Sequence, residues 1–287
     1  MQPFDYFKPK DFDEAFQLLN TPGKTVYPYA GGTDFIPMTR DGIWKCDAVV
    51  DIKGLPGMHD IQETPEGLFV GAAVRMNEIA SSEIVRSHWD ILAQGAGSVG
   101  SEQIRNRATL GGNLANASPA ADMSSPLLAL GACVTVEGAS GRRSIPLADF
   151  FEGPGKADLG KALLVEVVFP DPPGSGWSFQ KYGRTQTDIS VVNAAAGLAA
   201  DAEGRVEWAR IALGAVAPTP IRASEAEKAL AGRKLDASAI NDAAAIVEAT
   251  VSPISDVRAP ADYRRHMSGV LVRRALRECA AQLGCTL

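Results

Sequence analysis

Residues 170–176 read PDPPGSG, three prolines and two glycines in seven positions. No strand or helix crosses such a run, because proline withholds its backbone N–H and glycine raises the entropic cost of order. The sequence is therefore divided into residues 1–173 and 174–287, each long enough for a core of its own. In the first part, KDFDEAFQLLN offers Asp11 as an N-cap with Glu14 three residues on, and Phe12, Ala15, Phe16 and Leu19 recur at helical spacing. KTVYPYAGG, DAVVDIKG and GLFVGAAV predict strands, and Ile79, Ile84, Val85, Trp89 and Leu92 predict helix between 77 and 94. LLALGACVTVEG leads into another strand, GRRS predicts a turn and ALLVEVVFP a further strand. In the second part, two strands are expected in VVNAAAGLAADAEGRVEWARIALGAV, joined at DAEG, followed by two or three helices. The last, over 261–283, carries Met267, Val270, Leu271, Ala275, Cys279 and Leu283 on one stripe.

Charge narrows the function. With 28 basic and 34 acidic side chains the net charge is -6, which disfavours a nucleic-acid groove or an anionic membrane surface. Any anionic ligand must be held by local donors. No apolar run reaches bilayer length and the first residues lack a signal-peptide pattern, so a cytoplasmic location is expected. Cys46, Cys133, Cys279 and Cys285 form no C-x-x-C pair, so no iron–sulfur cluster is expected on this chain.

GAGSVG, residues 95–100, fits the dinucleotide fingerprint G-x-G-x-x-G, with Asp122 near the spacing that motif wants for its acidic residue. Its setting is wrong. A buried strand must deliver the first glycine, whereas EIVRSHWDILAQ fits an amphipathic helix. Small residues here serve close packing of a helix end, or of a flat ligand.

YAGGTDFIP (29–37) and TLGGNLANASPAAD (109–122) have a better claim to an anion. Paired glycines reach backbone angles closed to other residues, so neighbouring N–H groups can converge as a nest. Two such loops could grip the two phosphates of a dinucleotide. Asn113 and Thr109 could add side-chain bonds, and Asp122 could accept from ribose hydroxyls. Each glycine pair alone also reads as a simple tight turn.

YAGGTDFIP, VGSEQIRNRATLGGNLANASPAADMSSPLLAL, FQKYGRTQTDISVVNAA and SDVRAPADYRRHMSGVLVRRAL together resemble the FAD-binding medium subunit of the molybdenum hydroxylases, the xanthine dehydrogenase and carbon monoxide dehydrogenase family. The resemblance runs in order from about Phe4 to about Leu283. It implies an α+β fold: a two-lobed FAD domain of the vanillyl-alcohol-oxidase or PCMH type over 1–173, then a smaller α+β domain over 174–287 with a three-stranded antiparallel sheet and helices. The family's first diphosphate loop falls on Ala30, Gly31, Gly32, Thr33, Asp34 and Phe35, and the second on Thr109, Leu110, Gly111, Gly112 and Asn113. Asp122 takes the ribose position, Val99 lies beside the cofactor, and Leu164, Lys181 and Ile189 match positions near the flavin. Lys181 has a rival reading as a solvated lysine at a strand edge.

His59, His88 and His266 all lie outside the glycine loops, so non-covalent FAD is expected. The resemblance further implies molybdopterin in a large partner subunit and 2Fe-2S clusters in a small one, assembled as a dimer of heterotrimers that passes electrons to an external acceptor. The chemistry would be the flavin's, so no residue is named as catalytic and no metal ligand is expected. Arg264, Arg265, Arg273, Arg274 and Arg277 read as a solvated helix face or as a subunit contact. Two rivals stay open: a stand-alone flavin oxidase or reductase of the same fold, and a scaffold that has lost its cofactor.

Overall fold

In the computed structural model, which describes residues 2–170, 176–285 and 287, three sheets carry the architecture. The expected boundary at 173/174 lies outside the described residues. The first sheet is parallel, in the order Asp5–Phe7, Ala48–Asp51, Val26–Tyr29. Its middle strand, AVVD, is buried at every residue. Val26–Tyr29 tolerates Pro28 because it is an edge, where a missing donor breaks no ladder. The crossover helix Phe12–Leu19 begins where expected: the Asp11 side chain accepts from the Glu14 N–H at 2.8 Å, and the Glu14 carboxylate accepts from the Lys10 N–H at 2.8 Å.

The second lobe is an antiparallel sheet in the order Ile61–Thr64, Gly67–Gly71, Leu163–Phe169, Cys133–Gly138, Gly141–Pro146. GRRS corrects the sequence expectation, since it belongs to the last of these strands. The reversal is the two-residue step between Gly138 and Gly141, where Gly141 takes φ +100°. Charged side chains suit that strand because it is an exposed edge, and Arg143 reaches Asp158 at 2.6 Å. The helical stretch from 77 to 94 is broken into Met76–Ser81, Glu83–His88 and Asp90–Ser98, with Ser82 capping the second.

The C-terminal sheet has the three expected strands, Gly176–Tyr182, Val192–Ala200 and Val206–Gly214, and adds a two-residue fourth, Ile221–Arg222. Both faces are covered. Trp177, Phe179, Ala195 and Ala212 join the core of the first two lobes, while Val192, Ala194, Ala196, Leu198, Ile211 and Leu213 pack with the helices Ser224–Leu230, Ala237–Thr250 and Ala261–Gln282. This explains the small-residue run NAAAGLAA. At Gly197 a Cβ would fall 2.2 Å from the Trp177 ring, so a larger residue has no room.

The arginine run on the last helix splits. Arg265, Arg274 and Arg277 are exposed and Arg273 reaches Glu248 at 3.2 Å. Arg264, by contrast, is 3% exposed and donates to the Val191 carbonyl and to Asp256 Oδ1, each at 2.6 Å. Burial works against charge at Asp256, yet the N–H groups of Arg258 and Ala259 and the Arg264 guanidinium hold its carboxyl down at about 2.

Arg264→Ala takes the donor from the Val191 carbonyl while Asp256 keeps Arg258 at 2.8 Å, so it is expected to lose about 2 kcal/mol of unfolding free energy in denaturant titration at neutral pH. Asp256 is depressed on folding, so its stabilisation is complete above its ordinary value of 3.8 and is lost as pH falls through about 2. The stability gap between wild type and Asp256→Asn should close across that window.

Candidate functional site

A cleft of about 750 Å³ opens between the two lobes, a size suited to a large cofactor. One wall is the stretch from Val26 to Phe35. The opposite wall comes from 108–122 and 159–164, and Thr187, Asp188 and Ile189 of the C-terminal part close one side. Of the residues singled out from sequence, all line this cleft except Leu110, which is buried in the core, and Lys181.

The first glycine loop joins the strand Val26–Tyr29 to the helix Phe35–Arg40. Gly31 touches the second lobe so closely that a Cβ would lie 2.2 Å from the Arg107 carbonyl oxygen, and Gly32 turns the chain at φ +74°. The loop's carbonyls start the helix: Gly32 O accepts from Ile36 N at 3.0 Å and Asp34 O from Met38 N at 3.1 Å. The main-chain N–H groups of Gly31, Gly32, Thr33, Asp34 and Phe35 find no acceptor among the described residues. Five successive unused donors beside a cleft suit an anion, because partly buried N–H groups require a partner.

The second loop is built differently from the expected nest. Leu110 N donates to Val74 O at 3.0 Å, Gly111 N to Ala72 O at 2.8 Å, Gly112 N to Thr109 Oγ1 at 3.2 Å and Asn113 N to Thr109 O at 3.0 Å. These donors are consumed in starting the helix Leu110–Ala115 and tying it to the 72–74 segment. Gly111 is small for packing, since a Cβ would fall 2.6 Å from that of Ala72. The polar groups left for a ligand are the Thr109 N–H, which finds no acceptor among the described residues, and the Asn113 side chain, whose Oδ1 is buried without a partner. In an ordinary interior that orphan would be costly.

Asp122 sits at the far end, 7% exposed. Its Oδ2 accepts from Lys181 Nζ at 2.6 Å, and its Oδ1 accepts from Ser190 Oγ at 2.5 Å. Burial pushes the carboxyl above its ordinary value, and the ammonium and hydroxyl reverse this only in part. Each oxygen keeps a further lone pair for a ligand hydroxyl. Lys181 is not a solvated strand-edge lysine: its side chain is 11% exposed and also donates to Ser98 O at 2.8 Å. It ties the C-terminal sheet to both Asp122 and the end of the helix Asp90–Ser98. Val99 and Leu164 provide apolar lining, and Ile189 stands 52% exposed.

The fingerprint GAGSVG falls within and just beyond that helix, so no strand delivers it. Gly95 lets two helices approach, a Cβ there meeting Pro126 Cγ at 2.9 Å. Sequence reasoning missed the stacked rings of Tyr27 and Trp44, 5.7 Å apart and both lining the cleft, together with Asn116, Ser118 and Lys161. The alternating aromatics of VYPY were the available signal. None of His59, His88 and His266 lines the cleft, so no histidine there is placed to bond a cofactor covalently.

Comparison with known proteins gives two family matches, to the FAD binding domain in molybdopterin dehydrogenase over residues 2–172 and to the CO dehydrogenase flavoprotein C-terminal domain over 177–279. The chain is 34% identical to the glyceraldehyde dehydrogenase medium chain of Sulfolobus acidocaldarius, covering 96% of this chain and 98% of that protein. It is 33% identical to the carbon monoxide dehydrogenase medium chain of Afipia carboxidovorans, over 97% of each. Its fold matches a chain of carbon monoxide dehydrogenase from Hydrogenophaga pseudoflava with a TM-score of 0.94 and 34% identity, covering 100% of both.

The orphaned Asn113 oxygen makes a test of the site. Asn113→Leu removes a buried unsatisfied group, so the cofactor-free chain is expected to gain about 1 kcal/mol in stability. The same variant should lose much of the rise in melting temperature that added FAD gives wild type. Melting curves with and without FAD read both effects.

Proposed function

The chain belongs to the FAD-binding medium subunits of the molybdenum hydroxylase family, and we propose that it is the flavin station of a three-subunit oxidoreductase. In this reading a large subunit bearing molybdopterin oxidises the substrate, 2Fe-2S clusters in a small subunit carry the electrons, and this chain passes them to an external acceptor. The complex is a cytoplasmic dimer of such heterotrimers, and no described helix is long and apolar enough to cross a membrane. Residues 1–173 supply the cofactor lobes and 174–287 brace them.

The observation that carries the reading is the run of unused main-chain donors from Gly31 to Phe35 at the cleft of an acidic chain. Bound FAD supplies reversible one- and two-electron chemistry. The chain's own groups bind and orient. The Gly31–Phe35 N–H groups hold the diphosphate, the orphaned Asn113 Oδ1 accepts from an N–H or hydroxyl of the cofactor, Asp122 accepts from a ribose hydroxyl while Lys181 and Ser190 fix its carboxylate, and Val99 and Leu164 exclude water from the ring. Exposed Ile189 leaves one side of the cleft approachable by a redox partner. The four cysteines are free thiols, and burial pushes the Cys279 thiol up to about 12, which suits packing and not ligation.

Gly32→Val places a Cβ 2.5 Å from the Tyr29 hydroxyl at φ +74°. It is expected to lower FAD affinity at least about tenfold while far-UV circular dichroism is retained. Full flavin occupancy in this variant would contradict the site. For the electron path, substrate should reduce the flavin only when the small and large subunits are present. Substrate turnover by the isolated chain would favour a stand-alone flavoenzyme.

A further inference from the structure

Behind the first glycine loop lies a group of side chains that do not enter the cleft. Lys53, just past the strand Ala48–Asp51, donates from Nζ to the Ala30 carbonyl at 3.1 Å and to Asp51 Oδ1 at 2.6 Å. The same ammonium lies 4.6 Å from the centre of the Tyr29 ring. Asp51 is 5% exposed and also accepts from the Lys53 N–H at 3.0 Å and from the Tyr6 hydroxyl. Neither Lys53, Asp51 nor Tyr6 lines the cleft, whereas Ala30 and Gly31 both do.

The geometry of the peptide unit links this group to the ligand side. In a trans peptide the carbonyl and the following N–H point in opposite directions. Fixing the Ala30 carbonyl on Lys53 therefore turns the Gly31 N–H away from Lys53, and Lys53 is behind the loop. The first donor of the unused run is thus oriented by a side chain on another strand. Tyr29 braces the next residue, its ring packing against bare Gly32. The ammonium is paired with the Asp51 carboxylate at 2.6 Å, so the pair adds no net charge behind the loop and acts on it through direction alone.

We propose that Lys53, fastened by Asp51, is a positioning residue for the cofactor's diphosphate. It sets the peptide between Ala30 and Gly31 without touching the ligand. The proposal rests on the FAD reading above. The alternative role is purely structural, with Lys53 serving only to neutralise buried Asp51.

The two roles separate when the ion pair is removed whole. In flavin-free full-length chain, Lys53→Met combined with Asp51→Asn leaves no buried charge behind. Calorimetry with ADP and with adenosine then distinguishes a diphosphate effect from general damage. The double variant is expected to bind ADP about tenfold more weakly than wild type, the loss of one charge-assisted bond, with adenosine affinity unchanged and melting close to wild type. Lys53→Arg, which keeps a charge and a donor, should recover most of the ADP affinity. Should the double variant fail to fold, Lys53→Met alone, in which Tyr6 still satisfies Asp51, gives the same ADP-to-adenosine comparison. Unchanged ADP affinity, an equal loss of ADP and adenosine, or no recovery with arginine would overturn the role of Lys53. Wild-type chain that binds no FAD would overturn the underlying reading as well.

Discussion

A short run of backbone amides with no acceptor among the described residues is the constraint around which the rest of the structure is arranged. An acidic chain that binds a doubly charged diphosphate gains little from its overall field, so the binding charge must be local and directional. Main-chain N–H groups meet this need without adding basic side chains that would themselves have to be desolvated. Their cost is conformational. Gly32 must turn at a positive φ, and Gly31 must lie against the Arg107 carbonyl with no Cβ between. Both lobes are therefore needed to hold one loop.

The other elements fall into place as supports for that cleft. The parallel sheet delivers the loop from the edge strand Val26–Tyr29, and its buried centre, Ala48–Asp51, places Lys53 and Asp51 directly behind it. The antiparallel lobe contributes Thr109 and Asn113 through a helix whose own donors are already satisfied. The C-terminal sheet is covered on both faces, one by the lobes and one by its own helices. Through Lys181 and Ser190 it reaches the Asp122 carboxylate at the cleft. The second part of the chain is thus tied to the cleft, with Arg264 locking the Val191 end of the same segment.

Much of this was legible in the sequence because local chemistry and tertiary role agreed. Asp11 with Glu14, the DAEG turn and the apolar stripe of the last helix all stand where their patterns put them. The poor setting of GAGSVG was also readable, since a preceding amphipathic helix cannot deliver a dinucleotide turn. What escaped was decided by partners distant in sequence. GRRS has turn-like composition but completes an edge strand, because the pairing of Gly138 with Gly141 sets the register. The two glycine pairs look alike as text, yet Ala72 and Val74 occupy the donors of the second, and nothing in TLGGN announces that. Arg264 reads as part of a solvated face or a subunit contact, and the resemblance puts Lys181 near the flavin, but only the fold brings Asp256 and Asp122 to meet them. Tyr27 and Trp44 are separated by a loop and a helix before their rings stack.

The central claim is that the diphosphate is gripped by the amides of the first loop. Amide 1H–15N resonances of the flavin-free chain, followed as ADP is added, test it most directly. The account predicts large downfield proton shifts at Gly31, Gly32, Thr33, Asp34 and Phe35, with far smaller changes at Leu110 and Gly111, whose N–H groups already donate to Val74 and Ala72. Shifts concentrated at residues 95–100, or at Leu110 and Gly111 with the first loop silent, would contradict it.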